Sequence, residues 1–374
     1  MNYRINEICT QLIIVMTTIM LVLSGILGIE TTKYCLYVIV ALCYVKAIYV
    51  KIQPLQLILF LIIFIVSFIV VITNNGVFAS WIIFISSLIF AIDLFRFGID
   101  KSTWKLLKFC SYIICIAFIG YAIFDPNLSH YDQLTLYFDN PNMTGIAISA
   151  PTILIVLMVA ENKGKLLNVF NWILLLVMMF LIYLTQNRGS VFSVLLLIIV
   201  TVFSIYPKKT RKICAPWVWK VLKFIPIFVM FIYIGMYFAL PESLEFLGKP
   251  LFSGREGAWV SALIKIFITP FSYHRFEEGT LNLFLEGAAR YGIVSIVCYF
   301  VLLMSFGKKK EEMKKLSMTS YLAYVAFHCC LIQQSFESTM LTGSYSVYVL
   351  TYILLGVASM KIRNNDSEKE LEGI

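Results

Sequence analysis

The chain has 374 residues, of which 60% are hydrophobic and 14% are charged, and its mean hydropathy is +0.87. Soluble domains carry roughly 25% charged residues, so the composition excludes a soluble globular protein and indicates an integral membrane protein. The formal net charge of +9 does not indicate nucleic-acid binding, because the lysines and arginines are scattered over short segments instead of forming one basic face.

Apolar runs near the ~20 residues that a membrane-spanning helix needs recur along the whole chain. They must be helical, because lipid offers the backbone N–H and C=O groups no hydrogen-bonding partners. The sequence therefore predicts an all-α integral membrane protein, with about twelve transmembrane helices in a single polytopic domain that covers residues 1–374. In chain order the predicted spans are Ile8–Gly28, Tyr34–Val50, Leu55–Thr73, Phe78–Phe95, Leu106–Phe124, Asn142–Ala160, Asn168–Thr185, Ser190–Tyr206, Val218–Leu240, Tyr291–Phe306, Thr319–Phe336 and Ser344–Met360.

The distribution of Lys and Arg predicts the orientation of these spans. With the N-terminus in the cytoplasm, all but seven of the 30 Lys and Arg residues fall in inner segments, Lys46 among them, as the positive-inside rule requires. Both termini are then cytoplasmic, and the polar tail Asn364–Ile374 is expected to be disordered. Two outer segments are longer than the rest: Asp125–Asn140, and the large loop Pro241–Arg290 between spans nine and ten.

The large outer loop contains its own helix signal. Ser253 and Glu256 have the spacing of a capping box, and the helix that they start is expected to run to about Thr269 and to stop at Pro270. A second segment, Thr280–Gly292, leads into the tenth span. The first helix is expected to lie on the outer membrane surface, because one apolar stripe recurs on it at helical spacing: Trp259, Leu263, Ile266 and Phe267.

The sixth span has a helix start of its own. Asn140 is a good N-cap and Pro141 suits the first helical position. Capping explains both residues and leaves Asn142 without an assigned role.

The seven outer lysines and arginines run against the topology bias. Lys33, Lys249 and Lys265 can snorkel to lipid headgroups. Arg188 differs because it lies in the short hinge TQNRGS between spans seven and eight, and Arg255 differs because it lies at a predicted helix start. A guanidinium beside a helix N-terminus suits phosphate or pyrophosphate, so both arginines are candidate anion-binding residues; headgroup anchoring or an ion pair is the alternative for each.

Four short motifs carry a family resemblance: Asn140–Asn142, Gln186–Gly189, Ser253–Arg255 followed by Trp259, and Asn282–Glu286 leading to Gly292. Their order and their placement on the outer side resemble the O-antigen ligase and Wzy-type polysaccharide polymerase family of membrane glycosyltransferases, over roughly residues 135–310. The resemblance implies a GT-C-like helical fold in the bacterial plasma membrane. It also implies a polyprenyl-pyrophosphate-linked oligosaccharide as donor and acceptor, with no cofactor and no metal.

The resemblance also implies roles for individual residues. Arg255 and Arg188 correspond to the arginines that bind and neutralise the leaving pyrophosphate. The family commonly has a histidine before the asparagine that is Asn282 here, and it acts as the base; this chain has Leu281 in that position, and leucine accepts no proton. With no histidine at that position, the nearby candidate bases are His274, Glu277, Glu278 and Glu286, with Glu278 slightly favoured over His274. The candidate substrate-binding residues are Asn142, Asn282, Arg275, Arg290 and Trp259.

Purely structural explanations compete with these roles. The two asparagines also suit helix capping or local packing, and aromatic residues such as Trp259 are enriched at any membrane interface. The two glutamates near the large loop's end, Glu277 and Glu278, are also typical of a solvated loop surface.

The function expected from this reading is a repeat-unit polymerase for a capsule- or O-antigen-type polysaccharide. A ligase that transfers the glycan to another acceptor uses the same arginine chemistry and stays an alternative, as does a flippase for the lipid-linked oligosaccharide. A transporter is less favoured, because it would place charged residues near the middle of the membrane, whereas the predicted spans are almost free of charge. A sensor or an assembly partner without catalytic activity is a further possibility.

Overall fold

The structure is a computed structural model of the chain. It describes residues 2–50, 52–74, 76–124, 133–138, 140–161, 164–205, 255–272, 282–306, 316–335 and 347–360, together with scattered positions between 224 and 250. The predicted ninth span Val218–Leu240 therefore lies mostly outside the described residues, and the predicted tail Asn364–Ile374 lies wholly outside them.

The described chain is almost entirely helical. Eight helices come first: α1 Asn2–Leu27, α2 Ile29–Ala47, α3 Pro54–Thr73, α4 Phe78–Phe97, α5 Lys101–Phe124, α6 Pro141–Glu161, α7 Lys165–Leu184 and α8 Arg188–Ile205. A short 3₁₀ turn, Leu136–Phe138, precedes α6. The second half contributes α9 Arg255–Ile268, α10 Leu283–Tyr291, α11 Ile293–Ser305, α12 Met318–Gln334 and α13 Val347–Ala358.

Six of these helices are long and apolar enough to cross a membrane: α1 from Arg4 onward, α3, α4, α5, α6 and α7. The coarse prediction of a helical membrane protein is thereby confirmed. Helices α11 and α13 have 13 and 12 residues, which at 1.5 Å per residue is about 20 Å, short of the ~30 Å hydrocarbon core. The count of twelve spans and the GT-C-like fold remain predictions.

Helices α6, α12 and α13 lie at the centre of the protein. They are buried around their whole circumference, as expected for a helix that is apolar on all sides. Helix α6 packs against α5, α7, α8 and α12, and α13 packs against α4 and α12. Exposed apolar side chains lie instead on peripheral helices such as α3 and α7, as expected of helices that face lipid.

The helices alternate in direction, so the bundle has two ends. We call the end that carries the N-terminus the amino-terminal end; there Ile99 donates its backbone N–H to Gly356 at 3.1 Å. We call the opposite end the hinge end, because it carries the connection between α7 and α8. There Leu134 N–H bonds the carbonyl of Leu184 at 3.0 Å.

A buried ion pair joins α2 and α4 near the amino-terminal end. Lys46 Nζ lies 2.6 Å from Asp93 Oδ2, and both side chains are at most 1% exposed. Lys46 also donates to Asn6 and to Thr10 Oγ1. Lys46 was counted among the positive charges of the inner segments, and the structure shows that its ammonium faces protein and not solvent or headgroups. Expecting the spans to be almost free of charge was wrong at this contact.

The large loop predicted between spans nine and ten contains a two-residue antiparallel pairing and two helices. Glu245–Phe246 pairs with Lys249–Pro250. The predicted helix is confirmed as α9, which ends at Ile268 before Pro270; the predicted serine of its capping box, Ser253, lies outside the described residues. Trp259 and Ile266 of the predicted stripe are buried in the protein, and Phe267 is 70% exposed. The stripe was expected to face the outer membrane surface, but Trp259 and Ile266 face the protein core instead.

Candidate functional site at the hinge end

The α7–α8 connection is shaped by its polar residues. Helix α7 ends at Leu184, and Gln186 then adopts a left-handed backbone with φ +52°. Asn187 caps α8: its Oδ1 accepts the backbone N–H of Ser190 at 2.9 Å. Arg188 is therefore the first residue of α8 and not part of a flexible hinge. Its guanidinium is carried beside a helix N-terminus, where free N–H groups and the helix dipole favour anions.

The start of α6 lies directly against this connection. Asn140 Oδ1 accepts the backbone N–H of Asn142 at 2.8 Å and that of Met143 at 3.3 Å, which confirms Asn140 as the N-cap. Asn187 Nδ2 donates to the carbonyl of Asn142 at 2.9 Å. One asparagine side chain therefore caps α8 and ties it to the first turn of α6, and the motifs around Asn142 and Arg188 meet in space.

A glycine permits this close approach. A Cβ added to Gly145 in α6 would lie 2.5 Å from Asn187 Cβ and 2.9 Å from Thr185 Oγ1, distances that real Cβ atoms do not tolerate. No side chain larger than hydrogen fits without shifting the connection. Gly145 thus sets how near Asn142 and Arg188 lie to each other.

The segment Gln133–Phe138 passes over the same region. Gln133 Nε2 donates to Gln186 Oε1 at 3.0 Å, and Thr144 Oγ1 bonds the carbonyl of Thr135. Within the described chain, Leu136 and Gln186 are the two non-glycine residues with a left-handed backbone, and both lie here. Such conformations cost of order 1–3 kcal/mol and concentrate at functional sites.

The C-terminal end of α12 connects this cluster to the last motif. Gln333 is 2% exposed, and its Nε2 donates to Ser149 Oγ at 2.8 Å and to Ser190 Oγ at 2.7 Å. Two residues later, the carbonyl of Ser335 accepts Asn282 Nδ2 at 2.7 Å. Helix α12 therefore bridges the start of α8 and the start of α10.

Asn282 is completely buried and acts as the N-cap of α10. Its Oδ1 accepts the backbone N–H groups of Phe284 at 3.0 Å and Leu285 at 3.1 Å. Three hydrogen bonds thus engage the side chain within the protein. The capping alternative is confirmed for Asn282, and a direct contact with substrate stays a prediction.

Two further predicted residues have partners inside the protein. Arg290 Nε donates to Glu286 Oε1 at 2.7 Å across one turn of α10. Trp259 is 0% exposed, so both faces of its ring are covered by protein. The indole of this candidate substrate-binding residue therefore packs in the core, and a contact between Trp259 and substrate stays a prediction.

The remaining predicted residues are not placed. Arg255 is the first residue of α9, the same helix position as Arg188, but its side chain lies outside the described residues. The candidate bases Glu278 and His274, together with Arg275 and the Leu281 position, lie outside them as well.

Sequence reasoning missed the polar residues that hold the cluster together. Gln333 and Ser335 end the eleventh predicted span, and Ser149 and Ser190 lie within or at the start of others. The polar run QQS at the end of an apolar segment was a usable signal, because buried polar side chains in spans are costly and need partners.

Several helix dipoles converge on the hinge end. Helices α6 and α8 begin there, and so does α10 through Asn282. The positive ends of their macrodipoles, each equivalent to about half an elementary charge, add to the charge of Arg188, and the negative ends of α7 and α12, which finish there at Leu184 and Gln334, oppose them in part. The described arrangement of Arg188 and these helix starts is suited to holding an anionic group.

The fold and this site define the class: the chain is a helical membrane protein with a polar cluster at one end of its bundle. Comparison with protein-family models and with curated protein sequences found no match.

Proposed function

We propose that the protein is a metal-independent oligosaccharide polymerase of a bacterial plasma membrane. It transfers a glycan from polyprenyl pyrophosphate to a hydroxyl of a lipid-linked repeat unit, in the synthesis of a capsule- or O-antigen-type polysaccharide. The observation that carries the proposal is the placement of Arg188 at the N-terminus of α8, tied through Asn187 to the start of α6.

The chemistry needs what this arrangement offers. Breaking a glycosyl–phosphate bond develops negative charge on the leaving pyrophosphate and positive character on the sugar. A guanidinium gives a phosphate two parallel hydrogen bonds, and converging helix N-termini add free N–H groups. Preorganised donors that face developing charge typically contribute about 2.7–4 kcal/mol each. In this proposal Arg188 and Arg255, each the first residue of a helix, bind the pyrophosphate from two sides.

The acceptor hydroxyl is activated by a carboxylate in the segment before α10. Glu278 is the favoured base and His274 the alternative, since Leu281 cannot serve. A general base typically contributes about 10²–10⁴-fold, so its loss lowers the rate without abolishing pyrophosphate binding. Asn142, Asn282, Arg275 and Arg290 line the substrate path in this proposal.

The proposed orientation places the hinge end on the outer side of the membrane and both termini in the cytoplasm. The lysines and arginines of the inner segments support it through the positive-inside rule. Exposed Arg96, in the last turn of α4 at the amino-terminal end, fits this orientation. The lipid-linked substrate would then approach Arg188 from the outer leaflet.

The test is a matched set of variants in the host that makes the polysaccharide. Arg188→Ala is expected to abolish polymer while membrane abundance stays normal, and Arg188→Lys is expected to restore little, because an ammonium lacks the bidentate fork. Arg96→Ala is the control, since it removes an exposed arginine from the opposite end. Polymer of normal length from Arg188→Ala would refute the pyrophosphate role.

Deletion of the gene separates the polymerase from its alternatives. Single lipid-linked repeat units accumulating at the outer face are the expected result. Full-length polymer that remains on lipid would indicate a ligase, and units trapped at the inner face would indicate a flippase.

A further inference from the structure

A second polar site lies at the amino-terminal end, far along the helices from the hinge. Helices α5, α6 and α7 surround a cavity of about 100 Å³, several times the ~10–15 Å³ that one water molecule needs. Its polar lining residues are Lys108, Tyr112, Glu161, Asn168 and Asn171, and its apolar ones are Met158 and Leu167.

Asn171 is the feature that the fold alone does not explain. It lies in the apolar helix α7 and is 2% exposed, although a polar side chain buried in a membrane span is costly. Its Oδ1 accepts the hydroxyl of Tyr112 at 2.7 Å. Its Nδ2 has no hydrogen bond to any residue that the structure describes, yet the side chain lines the cavity. A buried amide donor is therefore held towards an open space.

Lys108 adds donors to the same cavity. Its Nζ lies 2.9 Å from Glu161 Oε2 and 5.5 Å from the centre of the Trp104 ring. Trp104 Nε1 in turn donates to Glu161 Oε1 at 2.7 Å, so this carboxylate and the indole hold the lysine in place. An ammonium has three N–H donors, and one bond to Glu161 leaves others for a ligand.

The residues around the cavity and its position along the helices favour a lipid ligand over a soluble one. Asn171 lies six residues into α7 and Lys108 seven residues into α5, so both are ~10 Å from the helix ends. This is near the membrane boundary, where Trp and Tyr are enriched. Leu167 and Phe170 beside the cavity are 49% and 45% exposed, so an apolar surface continues from the polar donors along α7.

We propose that the cavity between α5, α6 and α7 binds the phosphodiester headgroup of a membrane glycerophospholipid. The Lys108 ammonium and the Asn171 amide donate to the phosphate oxygens, and an acyl chain lies along Leu167 and Phe170. The site is separate from the hinge-end cluster and does not depend on the function proposed for it.

The experiment measures phospholipid that stays bound to the purified full-length chain, by native mass spectrometry in a mild detergent. Wild-type protein is expected to retain one phospholipid. Asn171→Leu and Lys108→Met are each expected to lower this occupancy at least about tenfold, the equivalent of one lost hydrogen bond to a charged group. Lys105→Met is the matched control, because Lys105 is an exposed lysine on the same helix that does not line the cavity.

A second measurement identifies the ligand and excludes misfolding. Adding vesicles of phosphatidylethanolamine and phosphatidylglycerol to delipidated protein is expected to raise the Tm of wild type and of Lys105→Met but not of Asn171→Leu. Equal lipid retention or an equal rise in Tm for all variants would overturn the proposal. An equal rise with inorganic phosphate alone would overturn the assignment to lipid and indicate a site for a soluble anion.

Discussion

The buried ion pair Lys46–Asp93 offers the sharpest test of how this fold is held together. Lys46 Nζ contacts Asp93 Oδ2 at 2.6 Å and donates to Asn6 Oδ1 and to Thr10 Oγ1, each at 2.7 Å. Asn6 Nδ2 donates to Asp93 Oδ1 at 2.9 Å. The network joins α1, α2 and α4. The perturbation consists of Lys46→Met, Asp93→Leu and the double variant.

The contacts predict an order among the three. Removing one partner of a buried ion pair typically costs about 3–5 kcal/mol, because the other charge is left uncompensated. Lys46→Met leaves Asp93 with the single hydrogen bond from Asn6, so its cost is expected near the top of that range. Asp93→Leu leaves Lys46 with oxygen acceptors on Asn6 and Thr10, so its cost is expected near the bottom.

The double variant is expected to be more stable than either single variant. It removes both charges together, and such replacements by apolar residues are often close to neutral. The side chain of Asn6 then loses both partners, which costs about 1–3 kcal/mol. The free energy of unfolding, measured by titration with sodium dodecyl sulfate in mixed micelles, gives the coupling energy of the pair. A double variant whose loss equals the sum of the two single losses would refute the reasoning.

Three other predictions concern the helix ends. Gly145→Ala is expected to lower the free energy of unfolding by about 1–3 kcal/mol and to remove most of the polymer yield, because the added Cβ meets Asn187. Gly120→Ala is the control, since nothing lies within 4 Å of its added Cβ. Unchanged polymer yield from both variants would contradict a fixed geometry of the α7–α8 connection. Asn282→Ala is expected to lower the Tm through loss of a helix cap, typically about 1 kcal/mol; lost activity at unchanged Tm would instead mean that Asn282 contacts substrate. Burial raises the pKa of Asp100. Hydrogen bonds from the Glu7 carboxyl and from Ser102 and Thr103 in the first turn of α5 outweigh this effect and lower the pKa to about 2. Because ~3.9 is usual for the unfolded chain, Asp100 is expected to stabilise the fold above about pH 4 and to lose this contribution as the pH falls towards 2, so Asp100→Asn should flatten the stability profile in that window.

The sequence was sufficient to predict the apolar helices, from the length of each apolar run, and several helix ends, from their capping residues. The start of α6 at Asn140 and the end of α9 before Pro270 follow from local rules, because a cap or a proline acts on its own neighbours. Lys46 could not be placed in the same way. Its partner Asp93 is 47 residues away, and no local pattern tells a snorkelling lysine from one that is buried in an ion pair.

The difference between local signals and long-range contacts also decides which residues of the candidate site could be predicted. The asparagines and Arg188 were recognisable because each begins a helix, and helix starts have a signature of their own. Gln333 was not, because its importance depends on Ser149 and Ser190, which reach it from two other helices. The burial of Trp259 could not be predicted for a related reason: an aromatic residue on an amphipathic stripe suits a ligand and a core equally well until the packing partner is known.

The way in which Arg188 is fixed bears on what it can do. Its backbone position depends on the Asn187 cap, and Asn187 depends on the carbonyl of Asn142 and on the space beside Gly145. Moving the first turn of α8 therefore requires breaking contacts with α6, and Gln333 adds a contact with α12 through Ser190. An arginine that only anchors the protein to headgroups gains nothing from such restraint, because lipid headgroups adjust to it. A donor that must face charge during a reaction does gain, since reorganisation that is avoided at that moment lowers the barrier. In the proposed function, the restraint on the first turn of α8 therefore suits a catalytic role for Arg188 better than surface anchoring.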